Sequence, residues 1–216
     1  MQANDHQPCT LCGSKATQKM VMEDQKIYYH CLHCKLIFLD KQFLPSPAQE
    51  KTRYDQHQNT ADDKGYVSFL EQLITPASAY LKPGMRALDF GCGPEPVLAS
   101  LLEERFSLSC EVYDPYYFPQ LPEGKYDCIF ATETFEHFFQ PALELEKLSQ
   151  WLMKDAYLFM MTSRWHSLQH FKNWWYRRDI THVSFYHRKS MEFIAASYGF
   201  NVLYDDQKSI CLLQKT

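Results

Sequence analysis

Leu88-Asp89-Phe90-Gly91-Cys92-Gly93-Pro94-Glu95-Pro96 is the stretch whose reading decides the fold. Met85-Arg86-Ala87-Leu88-Asp89-Phe90 reads as a short buried strand and the two glycines as a turn. Val97, Leu98, Leu101 and Leu102 then form the apolar face of a following helix. Glycine lacks a Cβ and tolerates φ > 0, so such a turn brings backbone close to a ligand. It also aims the free N–H groups of the helix at whatever sits above the strand. An acidic residue should follow at the tip of the next strand to grip a ribose, and Asp114 ends the strand-like Leu108-Ser109-Cys110-Glu111-Val112-Tyr113. The spacing fits a nucleoside-containing cofactor.

The third glycine decides which cofactor. A dinucleotide fingerprint, G-x-G-x-x-G, needs it where this chain has Pro96, which disfavours a nicotinamide or flavin. Leu88-Asp89-Phe90-Gly91-Cys92-Gly93-Pro94 resembles motif I of the class I S-adenosylmethionine-dependent methyltransferases. The resemblance implies a Rossmann-like α/β sheet, with the turn from Phe90 through Gly91, Cys92 and Gly93 against the methionine moiety of S-adenosylmethionine. Asp89 would help to hold its amino end through ordered water. Family members usually carry glycine where Glu95 stands.

A length of 216 residues with 45% hydrophobic content accommodates one α/β domain with an appendage. A net charge of −4 argues against a dominant affinity for polyanions, so nucleic acid is not indicated as a partner. No apolar run is long enough to span a bilayer, and Met1-Gln2-Ala3-Asn4-Asp5-His6 lacks the layout of a signal peptide, so the expected location is cytoplasmic, without membrane attachment. Of the eight cysteines, Cys92, Cys110, Cys128 and Cys211 sit singly in apolar segments and read as packing residues.

The other four are paired. Cys9-Thr10-Leu11-Cys12 and Cys31-Leu32-His33-Cys34 are C-x-x-C knuckles eighteen residues apart, the spacing of a four-cysteine zinc ribbon. Four thiolates close a tetrahedral site, so the zinc is structural and His30 and His33 are bystanders. Two disulfides or a redox C-x-x-C are the rival readings. Leu44-Pro45-Ser46-Pro47 interrupts regular structure and makes residues 40–50 the linker, dividing the chain into a ribbon over 1–44 and a methyltransferase domain over 45–216.

The polar segment that follows holds Tyr54, His57 and Tyr66 and leads into a helix through Val67, Phe69, Leu70, Leu73 and Ile74. In similar methyltransferases this segment folds over the cofactor, which makes Tyr54 and Tyr66 candidates to cover it. Beyond Asp114, Pro115-Tyr116-Tyr117 leads within a dozen residues to the buried strand Tyr126-Asp127-Cys128-Ile129-Phe130-Ala131. That interval is too short for the usual third-strand unit, so the sheet is expected to be reduced at that edge. Pro115 and Tyr116 are then adenine-side candidates, Tyr116 either stacking on the base or serving as a turn tyrosine.

Thr132-Glu133-Thr134-Phe135-Glu136-His137 lies on the carboxyl edge of the sheet, where ligands collect. Thr132 and Glu133 are cofactor candidates and His137 a catalytic one. The run resembles the post-strand motif of ubiquinone-biosynthesis O-methyltransferases, in some of which the matching acidic and histidine residues bind a divalent ion. Here those are Glu133, Glu136 and His137, which read either as a cation site or as helix N-terminal carboxylates with a cofactor-facing histidine.

Residues 164–187 form a polar-aromatic insertion longer than an ordinary connection. A similar Thr-His-Val-Ser-Phe-Tyr run lies near the substrate entrance in relatives, so His182 is a candidate base and Trp174 a candidate acceptor contact; Arg177 and Arg178 face solvent or an anionic substrate. Residues 200–204 and 209–213 read as a closing antiparallel hairpin. The expected protein is an S-adenosylmethionine-dependent methyltransferase with a zinc ribbon and an unidentified acceptor, a small molecule being favoured. A noncatalytic S-adenosylmethionine-binding or zinc-ribbon interaction protein is the alternative.

Overall fold

A computed structural model describes residues 7–56 and 59–216; the reading of Met1 to His6 and of His57 falls outside these. The chain opens with three antiparallel strands, β1 (Thr17–Val21), β2 (Ile27–Cys31) and β3 (Ile37–Leu39). The knuckles flank this sheet. Residues 44–46 lie outside regular structure, after which Ser46 caps α1 (Pro47–Tyr54) in a capping box with Gln49, and Pro47 occupies the first turn, where its missing N–H costs nothing. Asp63 caps α2 (Lys64–Ala77) by accepting from the Gly65 and Tyr66 N–H groups.

The main sheet follows. Strand β4 (Arg86–Phe90), helix α3 (Val97–Phe106) and strand β5 (Ser109–Tyr113) form the expected βαβ unit, with β4 and β5 parallel. Next come β6 (Tyr126–Thr132), α4 (Pro141–Trp151), β7 (Leu152–Met161), α5 (Leu168–Asn173), β8 (Ser184–Phe185) and α6 (Arg188–Tyr198). The antiparallel pair β9 (Phe200–Asp205) and β10 (Ile210–Lys215) closes the chain. The order β5-β4-β6-β7-β10-β9 leaves β5 at the edge, so the sheet is reduced where a third-strand unit would stand.

The period-two alternation of the strands sorts the helices into two layers. Ala87, Cys128, Phe130, Phe159 and Met161 bury one face against Leu70, Leu73 and Ile74 of α2 and Val97, Leu98 and Leu102 of α3. Leu88, Phe90, Ile129, Ala131, Leu158 and Met160 bury the other against α4 and α6, and Cys9, Leu11, Cys31 and Cys34 join that same core. The ribbon is bonded to this layer as well as packed on it: Ser190 Oγ donates to the Cys34 carbonyl at 2.9 Å, and the Ala142 N–H donates to the Thr10 carbonyl at 3.3 Å.

Strand β8, from the long insertion, pairs with β3 and makes the ribbon sheet four-stranded. A third core then gathers Tyr28, Ile37 and Leu39 of the ribbon with Phe171, Trp174, Tyr176, Val183 and Phe185 of the insertion. The insertion is therefore the seam between ribbon and sheet. No helix among the described residues is long and apolar enough to cross a membrane.

Candidate functional site

Gly91 and Gly93 both adopt positive φ, +79° and +68°. The requirement differs between them. A Cβ on Gly91 would lie 2.5 Å from Thr134 Oγ1, because the turn is pressed onto the loop after β6. A Cβ on Gly93 would meet nothing within 4 Å, so that residue presents bare backbone to open space. The Gly93 N–H donates to Asp114 Oδ2 at 3.1 Å, while Asp114 Oδ1 accepts from the Tyr116 N–H at 2.8 Å and the Tyr117 N–H at 3.2 Å. The carboxylate at the tip of β5 thus fixes the two loops that flank it.

Together these loops form one wall of a cavity of about 780 Å³. Phe90, Gly91, Cys92, Gly93, Asp114, Pro115, Tyr116, Thr132 and Glu133 all line it, as do Tyr54 and Tyr66. Helix α1 closes the top. Glu50, which sequence reasoning missed, accepts from Tyr116 Oη at 2.7 Å and from Tyr54 Oη at 3.4 Å, and the Tyr54 and Tyr116 rings lie 5.5 Å apart. Burial pushes the Tyr66 hydroxyl up to about 12, with the Asp89 charge adding to it.

Asp89 does not line the cavity. It is 3% exposed at the end of β4, and burial raises its carboxyl to about 7, partly offset by the backbone N–H of Ala99. The geometry gives it a place beneath the turn, against the start of α3.

The adjoining wall comes from the loop after β6 and from the insertion. Glu133 holds a left-handed backbone, φ +49°, and its N–H donates to the Met161 carbonyl at 2.7 Å. Glu136 is fully buried: Oε1 accepts from Tyr176 Oη at 2.6 Å and Oε2 from Thr162 Oγ1 at 2.8 Å. Tyr176 Oη also lies 3.1 Å from Glu133 Oε2. One hydroxyl proton serves the shorter contact best. Burial, reinforced by the Glu136 charge, raises the Glu133 pKa and so favours its protonated form beside Glu136.

His137 and His182 line the same cavity with their ring centroids 4.9 Å apart. His137 Nδ1 lies 3.0 Å from the Thr181 carbonyl and His182 Nδ1 lies 2.7 Å from the Tyr176 carbonyl. A carbonyl only accepts, so each Nδ1 carries the proton and each Nε2 keeps a free lone pair. Burial lowers the His182 pKa against the opposing pull of Glu136, so its neutral form dominates at physiological pH. Asp179 accepts from the Thr181 N–H and Oγ1 and pairs with Arg53 of α1; these contacts overcome burial and hold its carboxyl low.

Two expectations for the insertion change, and one for the loop after β6. Trp174 is buried against the ribbon and stacks on Tyr176 at 4.7 Å, whereas Trp175 lines the cavity. Arg177 faces neither solvent nor substrate: it is 8% exposed and pairs with Asp24 of the ribbon at 3.0 Å. The ligand atoms close enough to share a cation, within 4.8 Å of one another, belong to Glu136, His137 and His182, a set that leaves out Glu133.

The four knuckle sulfurs also lie within 4.8 Å of one another, with Cys9–Cys34 and Cys12–Cys31 at 3.6 and 3.5 Å. Tetrahedral zinc–thiolate bonds of about 2.3 Å place sulfurs roughly 3.8 Å apart, so the cage fits such an ion. All eight cysteines are free thiols. His30 and His33 stay outside the cage.

Residues 57–205 match the model of a family described as a methyltransferase domain. No curated protein matches the chain. Among solved structures, a chain from the complex of the Haloferax volcanii Trm112 methyltransferase activator with a methyltransferase aligns at 14% identity and TM-score 0.54, over 71% of this chain and 92% of its own. A protein from Bacillus halodurans described as a methyltransferase aligns at 12% identity and TM-score 0.50, over 68% and 99%. The cyclopropane synthase MmaA2 of Mycobacterium tuberculosis aligns at 15% identity and TM-score 0.52, over 70% and 66%. Identities this low speak for the fold, and the family match speaks for the activity. With the reduced sheet, the glycine turn and the cavity in place, the chain belongs to the methyltransferase-domain family and is an S-adenosylmethionine-dependent methyltransferase.

Proposed function

We propose that the cavity holds S-adenosylmethionine between the Gly91–Gly93 turn and helix α1, and that a small-molecule acceptor enters from the side of His137 and His182. Bound S-adenosylmethionine supplies an electrophilic methyl on a sulfonium. Gly93 exposes bare backbone for the methionine moiety, Asp114 turns its remaining lone pairs to the ribose hydroxyls, and Tyr116 offers a flat face to the adenine. Tyr54 and Tyr66 cover the site and keep water out, which supports transfer over hydrolysis. Asp89 acts from beneath, on the conformation of the turn.

The pair of Nδ1–carbonyl contacts at His137 and His182 carries the catalytic part of this reading. A histidine locked in one tautomer with a free Nε2 is prepared to take a proton from an acceptor hydroxyl or amine as it attacks the methyl. Tyr176 and Glu136 hold the wall in which both rings sit. The same free Nε2 atoms, with Glu136, are also suited to a divalent cation, and Glu136 already satisfied by two hydroxyl donors favours the proton-transfer role. Cys9, Cys12, Cys31 and Cys34 hold a structural zinc in this reading, and reduced thiolates suit a cytoplasmic protein.

Calorimetry with S-adenosylhomocysteine tests the cofactor half of the reading, and a screen of hydroxyl and amine acceptors with His137→Gln and His182→Gln tests the other. Loss of methyl transfer with product affinity retained supports the assignment. Full turnover in both variants rejects it.

A further inference from the structure

Outside the cavity mouth, α1 and the turn Trp175–Arg178 enclose a groove of about 590 Å³. Arg53, Trp175 and Asp179 line both spaces, so the groove is the outward continuation of the cavity. Its composition is unlike a solvated turn. Trp175 is 71% exposed and Ile180 44%, while the neighbouring Trp174 and Tyr176 are buried. Arg53 is neutralised by Asp179 at 2.7 Å and Arg177 by Asp24. Arg178 is exposed and lines the groove, and its guanidinium has no ion pair or hydrogen bond among the described residues. The groove therefore keeps one uncompensated positive charge beside an indole on a chain whose net charge is −4.

We infer that this groove takes an oxyanion-bearing arm of the methyl acceptor, with Trp175 covering a flat or apolar portion and Arg178 pairing with a phosphate or carboxylate. The inference rests on the reading of the cavity as the cofactor and acceptor site. An indole and a forked guanidinium on one groove are the residue types that dominate binding energy at recognition sites, and a guanidinium binds either oxyanion through two parallel N–H donors. The reacting end of the acceptor lies at His137 and His182 while its charged end stays at the mouth. This placement spares the cavity the cost of burying a second anion near Glu136.

The test uses full-length protein saturated with S-adenosylhomocysteine, so that the adenosine site is filled, and titrates uridine diphosphate, benzoate and uncharged uridine. At least one anion is expected to bind more tightly than uridine, and the tighter of the two names phosphate or carboxylate as the source. Arg178→Gln should weaken that anion about tenfold or more, Arg178→Lys should restore part of the loss, and Trp175→Ser should weaken anion and uridine alike. Failure of both anions to bind, or an anion affinity unchanged by Arg178→Gln, overturns the inference. Failure of S-adenosylhomocysteine itself to bind overturns the reading of the cavity instead.

Discussion

Phe38 of β3 and Ser184 of β8 are register partners, and between them the ribbon sheet and the acceptor-side segment become one sheet. Two residues before Ser184 comes His182; Val183, between them, donates its N–H to the Glu136 carbonyl at 2.8 Å while its own carbonyl accepts from the Leu39 N–H at 2.9 Å. The cysteine cage thus supports the histidine wall through a short run of backbone. Among the described residues it has no corresponding strand pairing to the Gly91–Gly93 wall.

Purified protein should carry about one zinc per chain, and Cys9→Ser with Cys34→Ser should abolish it. Hydrogen exchange in the metal-free protein should rise first over residues 17–39 and 176–187. S-adenosylhomocysteine affinity should fall less than stability does, because α2 and α3 pack in a separate core. Full zinc occupancy in the double variant, read by elemental analysis, sinks the ligand assignment.

Asp114→Ala should weaken S-adenosylhomocysteine by roughly 1 to 3 kcal/mol if the carboxylate takes charge-assisted bonds from both ribose hydroxyls. Asp114→Asn separates two roles, since an amide oxygen still accepts from the Gly93, Tyr116 or Tyr117 N–H groups but lacks the charge. Calorimetry should show an intermediate loss for Asn, and no binding of NAD by any form. Unchanged product affinity in a folded Asp114→Ala protein places the ribose elsewhere.

The strand, glycine turn, helix and distal acid were legible because each is local: the φ requirement of Gly91 and Gly93 and the apolar spacing of α3 act within a few residues. The knuckles were legible for the same reason. What stayed hidden depends on distant partners. Ser184-Phe185 is too short to announce a strand and becomes one only beside Phe38 and Ile37. Strand β7 starts at Leu152 rather than near Tyr157 because the register with β6 shifts between Tyr126 and Cys128, with Asp155 at φ +63°. Trp174 and Trp175 are equivalent as letters, yet neighbours on a tight turn face opposite ways, one to the ribbon and one to the groove. Glu50 and the role of Tyr176 gave no signal, since a buried carboxylate and its phenol partner, Glu50 with Tyr116 and Glu136 with Tyr176, are recognised only once both are placed.

Asp89 predicts a pH dependence of the unliganded protein. Its carboxyl rises from 3.8 to about 7 on folding, so between those values the folded chain holds a proton that the unfolded chain has lost. Stability should therefore fall as pH rises from about 4 to about 7 and level off above, a loss on the order of 4 kcal/mol from this group. Asp89→Asn should flatten that limb in denaturant titrations and be relatively more stable at pH 8 than at pH 5. A wild-type profile that rises across the same window without ligand contradicts the buried neutral acid.

His182→Ala separates binding from chemistry. The ring belongs to the insertion and not to the Gly91–Gly93 turn, so product affinity should stay near that of the parent while methyl transfer falls about 10²-fold or more. Because burial lowers its pKa below 6.5, the acid limb of kcat in the parent should lie below pH 6.5 and disappear in the variant. Trp174→Ala should act on the same limb indirectly. It removes the ring stacked on Tyr176, which in turn holds His182 by a carbonyl 2.7 Å away, so its loss should blur the limb and lower stability together. Crystals with S-adenosylhomocysteine should show His182 on the sulfur side of the ligand. A ring found away from the sulfur, or an acid limb untouched by His182→Ala, moves the base to His137.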